Sequence, residues 1–387
     1  MEQSKYLIHT RGGANAKSRH ARQGAAGTVA AKSYGRHEEG HGWLGIRFQA
    51  EPRAQPSDII LHARMWDQDN ARQQEALGIL GVNLVYGAHH ERGRPEGLIG
   101  SLMDGLSRDR MEVDMIKFSG PAFAGVDNRL MSLQLVQQRL TNAAMFSPDG
   151  EVVEPAEPLH ERPVLIERGS FRPVTMVTRD MLERARERVS GDPVVLMEMT
   201  LRNLLSPGEP AGHADFLARL DTLRALGMTV MISNYSRFHS VTTYLRRYTR
   251  ERIAMVLGVP TLTQVFDEKH YPDLEGGLLE ALGRLLSGPV TLYVYPWKNA
   301  RSGEVVTAEN FTVPARLRHL YAHLLENNLI EPIREVGKAD LSVLPRDVLS
   351  RLQSGDPGWE ALVPEEVVRM IKAQKLFGYR APDAGTR

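Results

Sequence analysis

The stretch Val164-Leu165-Ile166-Glu167-Arg168-Gly169-Ser170-Phe171-Arg172-Pro173-Val174-Thr175 puts two arginines, a serine and a glycine at the end of an apolar run. A guanidinium offers paired N–H donors, so Arg168 and Arg172 could grip a phosphate while Ser170 and the loop amides around Gly169 complete the cradle. The competing reading is a surface loop with solvated arginines. A second set lies upstream, where Lys117, Ser119 and Gly120 end one apolar run and Asp127, Asn128 and Arg129 begin a helical one. Lys117 would neutralise phosphate charge, and Asp127 or Glu198 would hold Mg²⁺ or a ribose hydroxyl. Nucleotidyl or phosphoryl transfer on such a site would rest on positioning and electrostatic stabilisation. These residues also suit ordinary loops and caps, since every strand-to-helix turn needs a glycine and a capping side chain.

Two histidine clusters invite a metal reading. His37-Glu38-Glu39-Gly40-His41 satisfies the HExxH pattern, in which a helix puts both histidines on one zinc. Gly40, Gly42 and Gly45 oppose a rigid helix there, and the continuation to Phe48 alternates like a strand. His89-His90-Glu91 has no third ligand at recognisable spacing and reads as a helix end facing solvent, where histidines complement the dipole.

The elements that must position these groups are legible from periodicity. Val113 to Phe118 reads as a strand closed by Ser119-Gly120-Pro121, and Leu130, Leu133, Val136 and Leu140 mark one helix face capped by Asp127 or Asn128. With a strand from Asn142 to Phe146 this predicts a βαβ unit, and ligands then gather at the carboxyl end of its first strand. Ile59–Met65 is a further strand and Gln73–Tyr86 a helix. After a Pro-rich linker from Glu154 to Pro163, an apolar strand opening at Val164 and strands at 194–199, 229–232, 253–257 and 290–295 alternate with helices at 178–189, 215–226, 239–248 and 274–286. That alternation predicts a parallel, doubly wound sheet covered on both faces. The fold class expected is α/β, two Rossmann-like parallel-sheet halves with a helical C-terminal tail: domains at 37–160 and 161–305, and a helical region at 306–387 ending in Leu376-Phe377-Gly378-Tyr379.

Composition narrows the partners. The 387 residues are 42% hydrophobic and 25% charged with a formal net charge of +1, which argues against nucleic acid as a main partner. Zero cysteines exclude disulfides, thiolate metal sites and a cysteine nucleophile, and fit a reducing compartment. No apolar run approaches the roughly 20 residues that span a bilayer, so a cytoplasmic protein without a membrane partner is expected. Residues 1–36 form a basic, small-residue extension expected to be solvated or to act as an arm for phosphate or RNA.

Two resemblances add to this. Leu196-Met197-Glu198-Met199-Thr200 ends one strand, Ser233-Asn234 another, and Lys269 follows a third. The layout resembles the haloacid dehalogenase (phosphatase) superfamily, which implies phosphate binding through Thr200, Ser233 and Lys269. The chain departs from that pattern at Leu196, where the nucleophilic aspartate would stand, and lacks the later acidic pair. The second resemblance rests on HGWLGIRFQ from His41, QQEALGILGVNLVYGA from Gln73, VDMIKFSGP from Val113, VDNRLMSLQLV from Val126, LIERGSFRPVT from Leu165, MISNY from Met231, RHLYAHLLENN from Arg318 and SGDPGWEALVPEE from Ser354. On these the chain resembles a bacterial family labelled nicotinate-nucleotide adenylyltransferase, sometimes TonB-dependent receptor. The first label implies a nucleotide ligand, although His37 to His41 does not read HxGH. The second implies a β-barrel, which alternating helices oppose. Members of that family carry a longer N-terminal region, so the basic opening is expected to replace, or to be a mis-start within, a segment that completes the first domain. Two functions follow as expectations: a protein binding a phosphorylated small molecule or nucleotide between its halves, or a non-catalytic assembly or regulatory protein whose helical tail could pack on another subunit in a homo-oligomer.

Overall fold

The structure, a computed structural model, describes residues 7–8, 40–204 and 212–381. His37, Glu38, Glu39 and most of the basic extension lie outside the described residues. The chain divides into two compact units, one running to Ala144 and taking in Glu151–Glu154, the other comprising Met145–Gly150 and the chain from Pro155.

The first unit carries β1 (Leu7–Ile8), β2 (Gly40–Phe48), β3 (Ser57–Met65), α1 (Asn70–His90), α2 (Pro95–Ser101), β4 (Met111–Ser119) and α3 (Asn128–Gln137). Its four strands pair in chain order and antiparallel throughout. The parallel sheet expected of this half is therefore not what forms. Residues 49–56 explain why at β2 and β3: so short a link makes a hairpin, whereas parallel neighbours need a crossover of about a dozen residues or more. Leu77, Leu80 and Leu84 of α1, Leu98 of α2 and Leu135 of α3 bury one core with Leu44, Ile46, Leu61 and Ile116 of the strands. Asp69 starts α1 by accepting from the Ala71 and Arg72 amides at 2.7 and 3.2 Å.

The strand, helix, strand order from Val113 to Phe146 is present, but it is not a βαβ unit. β5 (Ala143–Phe146) joins a different sheet from β4. Periodicity finds a strand; it does not name the strand's neighbour.

From there the chain runs through β6 (Val152–Val153), α4 (Ala156–Leu159), β7 (Val164–Arg168), α5 (Met176–Arg186), β8 (Val194–Thr200), α6 (Leu201–Leu204), α7 (His213–Ala225), β9 (Thr229–Ser233), α8 (Phe238–Leu245), β10 (Ile253–Gly258), α9 (Val259–Val265), α10 (Gly277–Leu285) and β11 (Val290–Tyr295). A short antiparallel pair, β12 (Trp297–Lys298) and β13 (Val305–Val306), then α11 (Arg318–Glu326), β14 (Ile330–Pro332), α12 (Pro345–Ser354) and α13 (Glu365–Gln374), completes it. The large sheet has eight strands in the order β14-β11-β10-β7-β8-β9-β5-β6. The run from β14 to β9 is parallel at every pairing. Ile166, Leu196, Ile232, Met255 and Leu292 are all buried on it. Such near-continuous apolar strands are what a sheet covered on both faces requires.

Numbered by their place in the chain, these six parallel strands lie in the order 3-2-1-4-5-6 of the doubly wound dinucleotide-binding fold. Strand order reverses between β7 and β10. The helices on either side of a reversal leave the sheet on opposite faces, so a crevice opens at the carboxyl ends there. The helix expected from residue 178 begins instead at Met176, capped by Thr175, whose hydroxyl accepts from the Thr178 amide at 3.2 Å. The helical tail is present and has its own cluster, with Trp359 buried among Val348, Leu352, Val367 and Ile371, and Phe377 joining it. Among the described residues, no helix is long and apolar enough to cross a membrane.

Candidate functional site

A pocket of about 900 Å³ lies over the carboxyl ends of β7, β8 and β9 and beside α9. It is contained in the second unit. Its lining includes Arg168 and Ser170 after β7, Thr200 to Asn203 after β8, Asn234 to Phe238 after β9, Thr261 and Gln264 of α9, and Lys269 to Pro272. Five residues expected from the sequence therefore meet in one cavity: Arg168, Ser170, Thr200, Asn234 and Lys269. Parallel strands all present their carboxyl ends to the same edge, so residues distant in sequence converge there.

Arg168 of the lining belongs to a buried ion pair. Glu198, fully buried, accepts from Arg168 Nε at 2.5 Å and Nη2 at 2.8 Å, and from the Ser233 hydroxyl at 2.5 Å. Arg168 also donates to the Ser236 carbonyl at 3.3 Å and stacks 4.7 Å from the Phe238 ring centroid. Two charges taken out of water are costly unless their geometry is good, and here both carboxylate oxygens are satisfied. Arg168 is thus a braced wall of the pocket, and Ser233 stands behind it. Glu198 has no oxygen open for Mg²⁺, which corrects the expected ligand role. No Asp or Glu is found among the described residues lining the cavity.

The rim is cationic and open. Lys269 and Arg202 are exposed and form no ion pair among the described residues. Arg237 is ion-paired with Asp273, and His270 Nε2 lies 3.9 Å from Asp267. The Thr200 hydroxyl accepts from the Asn203 amide at 3.2 Å, and the first turn of α8 has no side-chain cap. Uncapped N–H groups beside fixed cations suit an anion.

Gly169 and Arg172 shape the loop without facing the cavity. A Cβ on Gly169 would come within 2.7 Å of the buried Phe171 ring, so only glycine lets the chain pass. Arg172 Nε lies 2.7 Å from Asp215, which is also paired with the buried Arg219; these contacts tie the loop to α7 and replace the expected phosphate grip.

The upstream set belongs to the first unit and is held locally. Lys117 pairs with Glu151 at 2.6 Å on the surface. Asp127 caps α3 through the Arg129 amide at 2.9 Å and also binds the Arg129 guanidinium. That side-chain bond outweighs partial burial and holds the Asp127 carboxyl below its ordinary range. Asn128 accepts from the Phe118 amide at 2.7 Å and donates to its carbonyl at 3.0 Å. Ser119 ends β4, and Gly120, at φ +91, lets the chain pass Ser57, whose Cα would lie 2.6 Å from an added Cβ. Mg²⁺ on Asp127 would have to displace its arginine.

Sequence reasoning missed a buried network in this unit. His62 Nδ1 lies 2.6 Å from Asp114, His62 Nε2 lies 3.1 Å from His41 Nδ1, and Arg64 donates to Asp114 at 2.8 Å and Glu154 at 2.5 Å. One ligand atom each from His62, Asp114 and Glu154 fall within 4.8 Å of one another. Arg64 already bridges the two carboxylates with its fixed charge, which opposes a metal cation between them. Burial pushes the Asp114 carboxyl up, but His62 and Arg64 outweigh it and leave it below its ordinary value. Burial, then the neighbouring His62 and Arg64, lowers the His41 imidazole and favours its neutral form. In the pocket, Arg202, Tyr235 to Phe238 and His270 were also missed. Their signal was position: each follows closely on a strand end or a residue already singled out.

Fold and pocket together define an α/β protein with a crevice over the strand ends of a doubly wound sheet. No protein-family model matches the chain, and no curated protein matches it.

Proposed function

We propose that the second unit binds a phosphorylated small molecule or nucleotide, with its phosphate against Lys269, Arg202 and the uncapped start of α8. The observation that carries this is the convergence of unpaired cations with Ser170, Thr200 and Asn234 over parallel strand ends, without an opposing carboxylate in the lining. The volume falls in the usual range for metabolite sites, roughly 300–1,000 Å³. The motif resemblance to proteins labelled nicotinate-nucleotide adenylyltransferase supports the same ligand class. Any transfer step would depend on positioning and cationic stabilisation.

A binding role without turnover is the second reading. It is favoured by Leu196, a buried mid-strand residue paired with Ile166 and Thr229, where the phosphatase pattern needs a nucleophile. Glu198, closed by its own partners, favours it too.

Calorimetric titration with ribose 5-phosphate and with nucleoside monophosphates tests the proposal. Lys269→Ala should weaken binding by about tenfold, the scale of one charge-assisted hydrogen bond, and leave stability within about 0.5 kcal/mol because Lys269 is exposed. Absence of binding to the unaltered protein would remove this reading.

A further inference from the structure

A second, smaller cavity of about 240 Å³ adjoins the first, sharing Arg168, Ser170 and Thr261 in its wall. Its location is informative because it reaches Glu167 on β7 and Leu257 and Gly258 on β10, the two strands between which the sheet order reverses. Its walls are apolar, with Phe171, Val177, Met181, Leu257 and Val343 among them.

Two buried polar atoms in this lining lack a partner among the described residues. Glu167 is 5% exposed and its Oε2 has no partner among the described residues. Thr178, also in the lining, hydrogen-bonds the carboxyl. The indole Nε1 of Trp297 is likewise buried without a partner. Burial pushes the Glu167 carboxyl well above its ordinary range, which favours its neutral form. A neutral acid that accepts from Thr178 on one oxygen carries its proton on the other. In that form the two unpartnered atoms, Glu167 Oε2 and Trp297 Nε1, are an acid O–H and an indole N–H, both donors, set among apolar side chains. Buried donors left unpaired are costly and rare, and a ligand acceptor relieves both.

We propose that this cavity takes a neutral heteroaromatic ring of nucleobase size, bearing ring-nitrogen or carbonyl acceptors for Glu167 and Trp297, on a ligand whose phosphate lies in the larger pocket. The ring assignment rests on the proposed phosphate site for its connection, but the cavity's own chemistry stands apart from it. A cationic amine fits less well, because the wall has a neutral acid and Arg168 beside it. A second phosphate would face a carboxyl group and apolar carbon.

The test titrates the full chain with ribose 5-phosphate, with adenosine, guanosine, cytidine and uridine, and with their 5′-monophosphates. At least one monophosphate should bind at least tenfold more tightly than ribose 5-phosphate. Glu167→Leu should remove that advantage, a loss of roughly ten- to hundredfold expected for one buried hydrogen bond left unmade, while ribose 5-phosphate binding stays unchanged. Glu167→Gln, which keeps a donor, should preserve most of the advantage, and Trp297→Phe should cost several-fold. Unchanged ribose 5-phosphate binding doubles as the check that each variant is folded. If all four monophosphates bind no better than ribose 5-phosphate, or if Gln and Leu at 167 are equally harmful, the ring assignment is overturned. A nucleoside that binds, sensitive to Glu167→Leu, while ribose 5-phosphate does not would uphold the ring cavity and reject the phosphate site.

Discussion

Arg168 and Lys269 face the same pocket, but only one is free to respond to a ligand. Arg168 already satisfies both oxygens of a fully buried carboxylate. Truncating it leaves Glu198 with Ser233 alone, and removing one partner of a buried pair costs about 3–5 kcal/mol. Arg168→Ala should therefore lower the midpoint of denaturant unfolding by that scale, whereas Lys269→Ala should not; a mild Arg168→Ala would show that water reaches the pair. Binding lost on changing Arg168 consequently says little about phosphate contact. Glu167 makes the opposite case. Its folded-state pKa is raised by burial, so below the unfolded value both states are protonated and nothing is lost. As pH rises past the unfolded value, the unfolded chain releases a proton that the folded chain keeps, and stability falls until the folded pKa is reached. Glu167→Gln should thus raise the Tm at pH 8 and leave it unchanged near pH 4. Equal shifts at both would mean the carboxyl is not held neutral.

At the scale of the elements, the loop from Gly169 to Thr175 sets the geometry of both cavities. Phe171 sits at φ +49 with its ring against Gly169, and Thr175 then starts α5. Gly169→Ala forces that buried ring to move, and overpacking of this kind costs about 1–3 kcal/mol. The expected outcome is a lower Tm together with weakened ligand binding, since Ser170 is carried on the same turn; a variant of unaltered stability would show that Phe171 has room to swing. Much of this level was legible beforehand. The apolar runs fixed β7 through β11 to within a residue or two, because a strand buried on both faces leaves few polar positions. The start of α5 was expected at Thr178 rather than just after Thr175 because both are threonines, and Thr178 instead hydrogen-bonds Glu167. The first unit was misread for a different reason. A strand beside a helix looks alike in sequence whether its sheet is parallel or antiparallel, and only the short link at 49–56 hinted at a hairpin. The network of His41, His62, Arg64, Asp114 and Glu154 was illegible because its members are scattered over three strands and a linker.

For the whole molecule, the relevant property is that each unit closes a core of its own. The first buries its antiparallel sheet against α1, α2 and α3, and the second has the large parallel sheet with a separate tail cluster. Both cavities and their charged groups fall in the second unit, while the His62, Asp114 and Arg64 network falls in the first. A ligand that binds only a folded unit stabilises that unit, by about 2.7 kcal/mol at a hundred times its Kd. Calorimetric unfolding should therefore separate into two transitions, and a bound monophosphate should raise one of them. Asp114→Asn takes from Arg64 a counter-charge and alters the hydrogen bond to His62, and should lower the other by several kcal/mol while leaving the ligand-dependent transition in place. A single transition that moves with both perturbations would mean that the units unfold together. In that case a change at Asp114 could weaken ligand binding without any contact, and mutational losses of binding would have to be read against stability before any residue was assigned to the site.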